Sequence, residues 1–221
     1  MSDNVILTFG MGGWYPRGVK RMETKLATYL QNWDFKGWIN EYPPGSPTHQ
    51  ENPYAFKAYA FKWAVDNGYK RALWLDSSVV PNKNPEPLFK KISENGYLIL
   101  LNGWTNAVWS TETQLKYYGF TREQAKNVPH PIGGIIGMDF TNPIGKNMYD
   151  KFIQAADAGI FRGSWTNKKH EVSEDPTVLG SRHDQTCLGF IAYELGLEYS
   201  VHLAAYQNHG DFYFYILHVG G

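Results

Sequence analysis

Asp76 ends the apolar run Arg71-Ala-Leu-Trp-Leu-Asp76-Ser77-Ser78, and it is the first residue along the chain placed to do chemistry. Open α/β sheets gather ligand-handling groups just beyond the carboxyl ends of their strands. A buried, ionised carboxylate is costly there unless it is paired, hydrogen-bonded or bound to a cation. Asp76 therefore either caps the turn that follows the strand or holds a metal ion at the edge of a cleft. A second polar cluster, His183-Asp184-Gln185, opens an apolar helical pattern, where Ser181 and Asp184 both suit the N-cap position. Trp104, Trp109 and Trp165 stand in polar stretches that core packing explains less well. Indole and phenol rings also make flat amphipathic platforms.

The elements that must carry these residues read as alternating strands and helices. An apolar strand over 5–9 runs into Gly10-Met-Gly-Gly13, whose glycines permit a tight turn and a close approach of backbone to ligand. The spacing lacks the Gly-x-Gly-x-x-Gly dinucleotide fingerprint. Residues 19–31 form an amphipathic pattern with Leu26 and Leu30 on one face, and 35–39 a second strand. A helix over 54–67 presents Phe56, Tyr59, Ala60, Trp63 and Ala64, ends at Gly68, and leaves Lys57 and Lys62 off its apolar stripe. Strand 71–80 follows, then helix 88–94 with Asn95-Gly96 as its stop, strand 97–101 and a surface loop over 102–110. A helix runs over 111–118, and Thr121 caps another, with Gln124 three residues on. Strand 131–139, helix 145–158, a polar loop over 163–175, helix 185–194 and late strands at 201–205 and 212–219 complete the chain. The expected architecture is one α/β domain with a mixed, largely parallel central sheet flanked by helices.

Composition narrows the function. The 221 residues carry 21 Lys plus Arg and 21 Asp plus Glu, and this zero net charge argues against a duplex nucleic-acid binder. It leaves room for a local basic patch against a diphosphate. Cys187 is the lone cysteine, so no intrachain disulfide exists, and its apolar helical surroundings predict a small buried hydrophobe. No run approaches a membrane span, and the chain enters its first strand without a leader, which together predict a soluble, cytoplasmic protein. No His-Glu-x-x-His, Gly-x-Ser-x-Gly or Walker A pattern supports a metalloprotease, a serine hydrolase or an NTPase.

The glycine-bearing end of the first strand, the helix before Arg71–Asp76, the strand Ile132-Gly-Gly-Ile-Ile-Gly137 and His183-Asp184-Gln185 at a helix start together resemble a glycosyltransferase of the GT-A type, over roughly residues 5–218. Small viral and bacterial members are the most similar. The resemblance implies a nucleotide-binding half over about 1–100 and an acceptor-binding half over about 101–221. It implies a nucleotide-sugar donor, most commonly a UDP-sugar, and a glycan or small hydroxyl acceptor.

Such enzymes usually carry Asp-x-Asp against Mn²⁺ or Mg²⁺, whereas this chain has Asp76-Ser77-Ser78. Asp76 and Ser78 are then the implied metal ligands, with His218 or His209 completing the sphere. Arg17, Lys20, Lys57 and Arg71 are the cations that could reach the phosphates, and Lys57 is the favoured one. The base would rest beside Phe9 and Gly10, with Tyr15 as a stacking platform. His183 and Asp184 fall at the catalytic position. Asp184 would be the base in an inverting reaction; in a retaining one it would bind sugar hydroxyls or shield positive charge. Trp104, Trp109, Trp165, Asp184 and Gln185 would line the acceptor or sugar groove. A non-catalytic carbohydrate-binding protein and a metal-dependent hydrolase are the competing readings.

Overall fold

The computed structural model describes residues 2–29, 32–201, 203–205 and 212–217. In chain order the elements are β1 (Asn4–Gly10), α1 (Tyr15–Leu26), β2 (Asp34–Ile39), α2 (Ala55–Asp66), β3 (Arg71–Leu75), β4 (Val79–Pro81), α3 (Glu86–Asn95), β5 (Tyr97–Thr105), α4 (Glu112–Tyr118), α5 (Arg122–Ala125), β6 (Pro129–Asp139), α6 (Pro143–Asp157), α7 (Asp184–Glu194), β7 (Ala204–Ala205) and β8 (Phe214–Ile216). Five strands form the main sheet in the order β2-β1-β3-β6-β5, and β4-β8-β7 form a small second one. β1 pairs parallel with β2 and β3, while β6 pairs antiparallel with both β3 and β5. Only β6 runs against the other four, so the expected largely parallel mixed sheet is what forms.

Continuous apolar strands need cover on both faces, and each strand divides its side chains accordingly. Val5, Leu7, Ala72, Trp74, Ile136 and Met138 turn to one face, packed with side chains of α2, α6 and α7. Ile6, Leu73, Leu75, Leu98, Leu100 and Ile135 turn to the other, against Met22 and Leu26 of α1 and Leu88, Phe89 and Ile92 of α3. Cys187 is fully buried in the first layer, as its sequence context predicts. No described helix is long and apolar enough to cross a membrane.

Several elements differ from expectation. α1 begins at Tyr15 and ends at Leu26 rather than spanning 19–31, because Pro16 sits in its first turn, where a missing N–H costs nothing. Leu30 lies outside the described residues. The single strand expected over 71–80 is two, separated by the Asp76–Ser78 turn. The surface loop expected over 102–110 is the end of β5 followed by a single 3₁₀ turn, with Asn106 and Ser110 wholly buried. Asn106 holds that turn in place by donating to Thr186 O at 2.8 Å and sharing its side-chain oxygen with His130. Among the described residues the late strands are Ala204–Ala205 and Phe214–Ile216; the cap at Thr121 forms as expected, and Thr111, expected inside its helix, is that helix's N-cap in a second capping box.

Gly18 decides how closely α1 approaches the Asp76–Ser78 turn. A Cβ at this position would collide with Ser77 O, the same oxygen that accepts from Arg21 Nη2 at 2.8 Å. Gly18→Ala should therefore lower stability by about 1–2 kcal/mol in urea unfolding, overpacking outweighing a helix-propensity gain of about 1 kcal/mol. A stabilised variant would mean that the Ser77 turn yields freely.

Candidate active site

The chain leaves β3 at Asp76 and turns at once toward β4. Asp76 N–H donates to Gly134 O at 2.9 Å, and Val79 N–H donates to Asp76 O at 2.8 Å, so backbone groups close this turn. The Asp76 carboxylate is engaged elsewhere. Its Oδ1 accepts from Trp74 Nε1 at 2.7 Å and lies 3.2 Å from Lys57 Nζ. Its Oδ2 lies against Gly134, where a Cβ would come within 3.1 Å of it.

Lys57 is the centre of the site. It belongs to the first turn of α2 and is 2% exposed, which corrects its expected place off the apolar stripe. Its ammonium donates to Gly133 O at 2.8 Å and lies 3.2 Å from Asp76 Oδ1 and 3.0 Å from Asp184 Oδ2. Gly133 O takes one of the three ammonium protons in a hydrogen bond, and the two carboxylates face it at ion-pair distance. The rings of Tyr54 and Trp74 stand 5.1 and 5.8 Å from the nitrogen. Burial alone would discharge the lysine, but the attraction of Asp184 and Asp76 outweighs it and holds the amine above its ordinary range. For Asp184 burial dominates instead and pushes the carboxyl up to about 6, although Lys57 pulls the other way.

Both charged helix starts carry unusual backbone. Tyr54, just before α2, has φ 62°, and His183, just before α7, has φ 54° with ψ −117°. Non-glycine residues reach such conformations at a cost that their surroundings must offset. Here the two rings pack against each other at 5.3 Å, and Trp165 closes on both. His183 is 1% exposed; its Nδ1 meets Phe161 O at 2.9 Å, and burial lowers its pKa to about 4. His183, not Asp184, occupies the N-cap, and Asp184 turns inward to Lys57.

Two cavities of about 390 Å³ each meet at Asp76. The first is largely aromatic, walled by Phe9, Tyr15, Tyr42, His49 and Tyr54, with Ser77 and Ser78 at its rim. The second is lined by Asn102, Trp104, Trp109, Gly133, Arg182 and Gln185 among others. The structure thus brings Phe9, Tyr15, Asp76, Ser77 and Ser78 together, and separately Trp104, Trp109 and Gln185. Asp184 lies buried behind the Gly133 wall and lines neither cavity; a Cβ on Gly133 would sit 3.3 Å from its Oδ2.

Other expected site residues fall elsewhere. Gly10 lines neither cavity; a Cβ there would crowd Tyr15 and Val19, so it serves the packing of β1 against α1. Arg17 and Lys20 point into solvent, because the inward face of α1 belongs to Gly18, Val19 and Met22. Lys57 is enclosed by its two acids rather than reaching outward to phosphates. Arg71 is at the far end of β3, bonded to Asn4 and Asp139. Trp109 is buried, whereas Trp104 is 50% exposed at the end of β5 and Trp165 is 43% exposed on its loop. His209 and His218 lie outside the described residues. Sequence reasoning missed His49, Tyr42 and Arg182, which no local motif marks.

The metal question turns on the oxygens present. Among the described residues no three acidic, histidine or cysteine side chains cluster as a cage. One carboxylate, about one-third exposed, with Ser78 lining the same cavity, would fit a cation that takes most of its ligands from elsewhere rather than one held by protein alone.

With this geometry in place, comparison with solved structures finds a glycosyltransferase involved in the glycosylation of the major capsid of PBCV-1, at TM-score 0.53 and 12% identity, covering 99% of this chain and 94% of that one. The apo form of mouse xyloside xylosyltransferase 1 matches at TM-score 0.53 and 10% identity, covering 97% and 98%. The apo bifunctional glycosyltransferase WbbM matches over 92% of this chain at TM-score 0.52 and 9% identity; the chain spans 39% of its length. The fold is that of GT-A-type glycosyltransferases. No protein-family model and no curated protein matches the sequence. At such identities the likeness is one of architecture.

Within this fold the ion cluster makes a prediction of its own. Lys57→Met leaves Asp184 buried without its ammonium and should cost roughly 3–5 kcal/mol at pH 8. A carboxyl whose folded pKa is raised contributes full stability below its unfolded value and loses it as pH rises through the folded value. Removing Lys57 lifts that folded value beyond about 6, so the variant should be less impaired at pH 5 than at pH 8. Urea unfolding at the two pH values reads this; an equal loss at both would show that Asp184 does not take up the proton.

Proposed function

We propose that this chain is a glycosyltransferase that moves a sugar from a nucleotide diphosphate sugar, with UDP as the nucleotide, to a hydroxyl of a glycan or another small acceptor. The observation that carries this reading is the meeting of an aromatic and a polar cavity at Asp76, with the Lys57 cluster behind the junction. Transfer between two bound substrates needs adjoining compartments with the breaking bond at their boundary. The aromatic compartment suits a base and ribose against Phe9, Tyr15 and Tyr42. The glycine floor at Gly133 and Gly134 lets a sugar ring approach the backbone, with Gln185 beside it. A lectin would need one compartment.

Asp76 and Ser78 would hold Mn²⁺ or Mg²⁺ together with the diphosphate, and the cation would supply stabilisation of the departing charge. Asp184 acts through its charge and not through contact: it lies behind Gly133, fixes Lys57, and keeps a negative potential beneath the reacting carbon. That role suits an oxocarbenium-like transition state better than direct deprotonation of the acceptor.

Calorimetry with UDP, with and without Mn²⁺, tests the donor site. Binding that strengthens with Mn²⁺ in the wild type, and loses this dependence in Asp76→Asn, is expected; free glycan binding with no UDP affinity would favour the carbohydrate-binding alternative. Turnover should have an acid limb near pH 6, because Asp184 is charged above its pKa of about 6 and neutral below it. Asp184→Asn should lower kcat roughly 10²-fold or more and flatten that limb. An unchanged kcat with the same limb would remove Asp184 from the chemistry.

A further inference from the structure

The Asp76–Ser78 turn engages its carbonyl groups with protein and leaves two amide donors unmet. Asp76 O accepts from Val79 N–H at 2.8 Å, Ser78 O from Leu217 N–H at 3.0 Å and Ser77 O from Arg21 Nη2 at 2.8 Å. Asp76 N–H is bonded to Gly134 O, but among the described residues no acceptor meets the N–H of Ser77 or of Ser78. Both serines line the first cavity. Neighbouring backbone donors left free in a turn suit an anion. A planar trans peptide sets its N–H antiparallel to its C=O. The Ser77 carbonyl is directed at α1, so the Ser78 N–H is directed away from that helix.

Arg21 sets this direction from outside the turn. Gly18, one helical turn earlier, admits the Ser77 carbonyl closer than a Cβ would allow, and Arg21 then grips its oxygen. The guanidinium is half-buried, and among the described residues no carboxylate pairs with it. Its Nε is buried without a partner. Such burial is costly, and the Ser77 carbonyl is the acceptor that offsets it. Arg17 and Lys20 on the same helix are exposed.

We propose that Arg21 is a positioning residue for the donor's diphosphate: by holding the Ser77 carbonyl against α1, it presents the Ser78 N–H to a phosphate oxygen in the first cavity. The assignment rests on the transferase reading, since it takes the first cavity as the nucleotide's.

The test compares UDP with uridine on the wild type, R21M and R21K, by calorimetry and by the backbone amide NMR spectrum, with Mg²⁺ present throughout. In the wild type UDP should bind more tightly than uridine, and the Ser78 amide proton should move downfield with UDP alone. R21M should narrow the affinity ratio of UDP to uridine roughly 10-fold, with uridine affinity maintained, as expected for loss of one charge-assisted hydrogen bond. It should also lose the downfield shift. R21K, which can still donate to Ser77 O, should restore part of both. A Ser78 amide that does not move when UDP binds to the wild type overturns the proposal, whether or not R21M folds. An equal weakening of UDP and uridine in R21M overturns it by reducing Arg21 to a support for the fold, and an unchanged ratio overturns it by removing Arg21 from the site. A narrowed ratio with the amide shift intact overturns the positioning role as well, because Arg21 would then act on the phosphates by charge alone. Absence of any UDP binding sinks the transferase reading and this assignment together, whereas UDP binding with a silent Ser78 amide sinks this assignment alone.

Discussion

A lysine ammonium buried among three oxygens governs the geometry around it. Lys57 of α2 joins Gly133 O of β6, Asp76 at the end of β3 and Asp184 at the start of α7. These four segments are separated in sequence, and the ammonium offsets the repulsion between two carboxylates brought together at a cavity junction. Removing either acid leaves a single ion pair, whereas removing the lysine leaves two like charges facing each other. The cluster is costly to bury and costly to break. It therefore holds one arrangement, and the two cavities inherit their boundary from it.

Backbone at close quarters makes that arrangement possible. Gly133 and Gly134 carry no side chains, so Asp184, Gln185 and Asp76 can press against β6. Gly18 lets α1 reach the Ser77 turn from the opposite side. Tyr54 and His183 both take positive φ, and their rings pack against each other at a tilt, where the first turns of α2 and α7 converge. Strain at two helix starts is thus offset by one aromatic contact, covered in turn by Trp165.

The sheet and most helices were legible because they rest on local signals. Apolar runs, the Asn95-Gly96 stop and the cap at Thr121 each act within a few residues. Asp76 was legible for the same reason, as a carboxylate ending a hydrophobic strand. Lys57 was misplaced because its partners are 19 and 127 positions away along the chain, and helical periodicity alone assigns a lysine to the solvent side. The burial of Asn106 and Trp109 escaped similarly, since a polar segment reads as surface until His130 and Thr186 supply its hydrogen-bond partners. Asp184 looked like a cap by type, yet the cap is formed by the backbone of His183.

The Asp76-Ser77-Ser78 sequence takes on a different meaning beside Lys57. Two acids at this turn would place three carboxylates, with Asp184, around one ammonium. With Ser78 at the position of the second acid the local charge is one negative rather than two, and under the proposed transfer the cavity rim would repel an incoming diphosphate less. The same difference would leave a bound cation one anionic protein oxygen fewer, so in the proposed complex more of its coordination would come from the phosphates. Weaker hold on a free metal ion and easier entry for a diphosphate are two consequences of a single substitution in the electrostatics of the turn. Under the proposed transfer they would favour joint binding of nucleotide and cation over loading of the cation first.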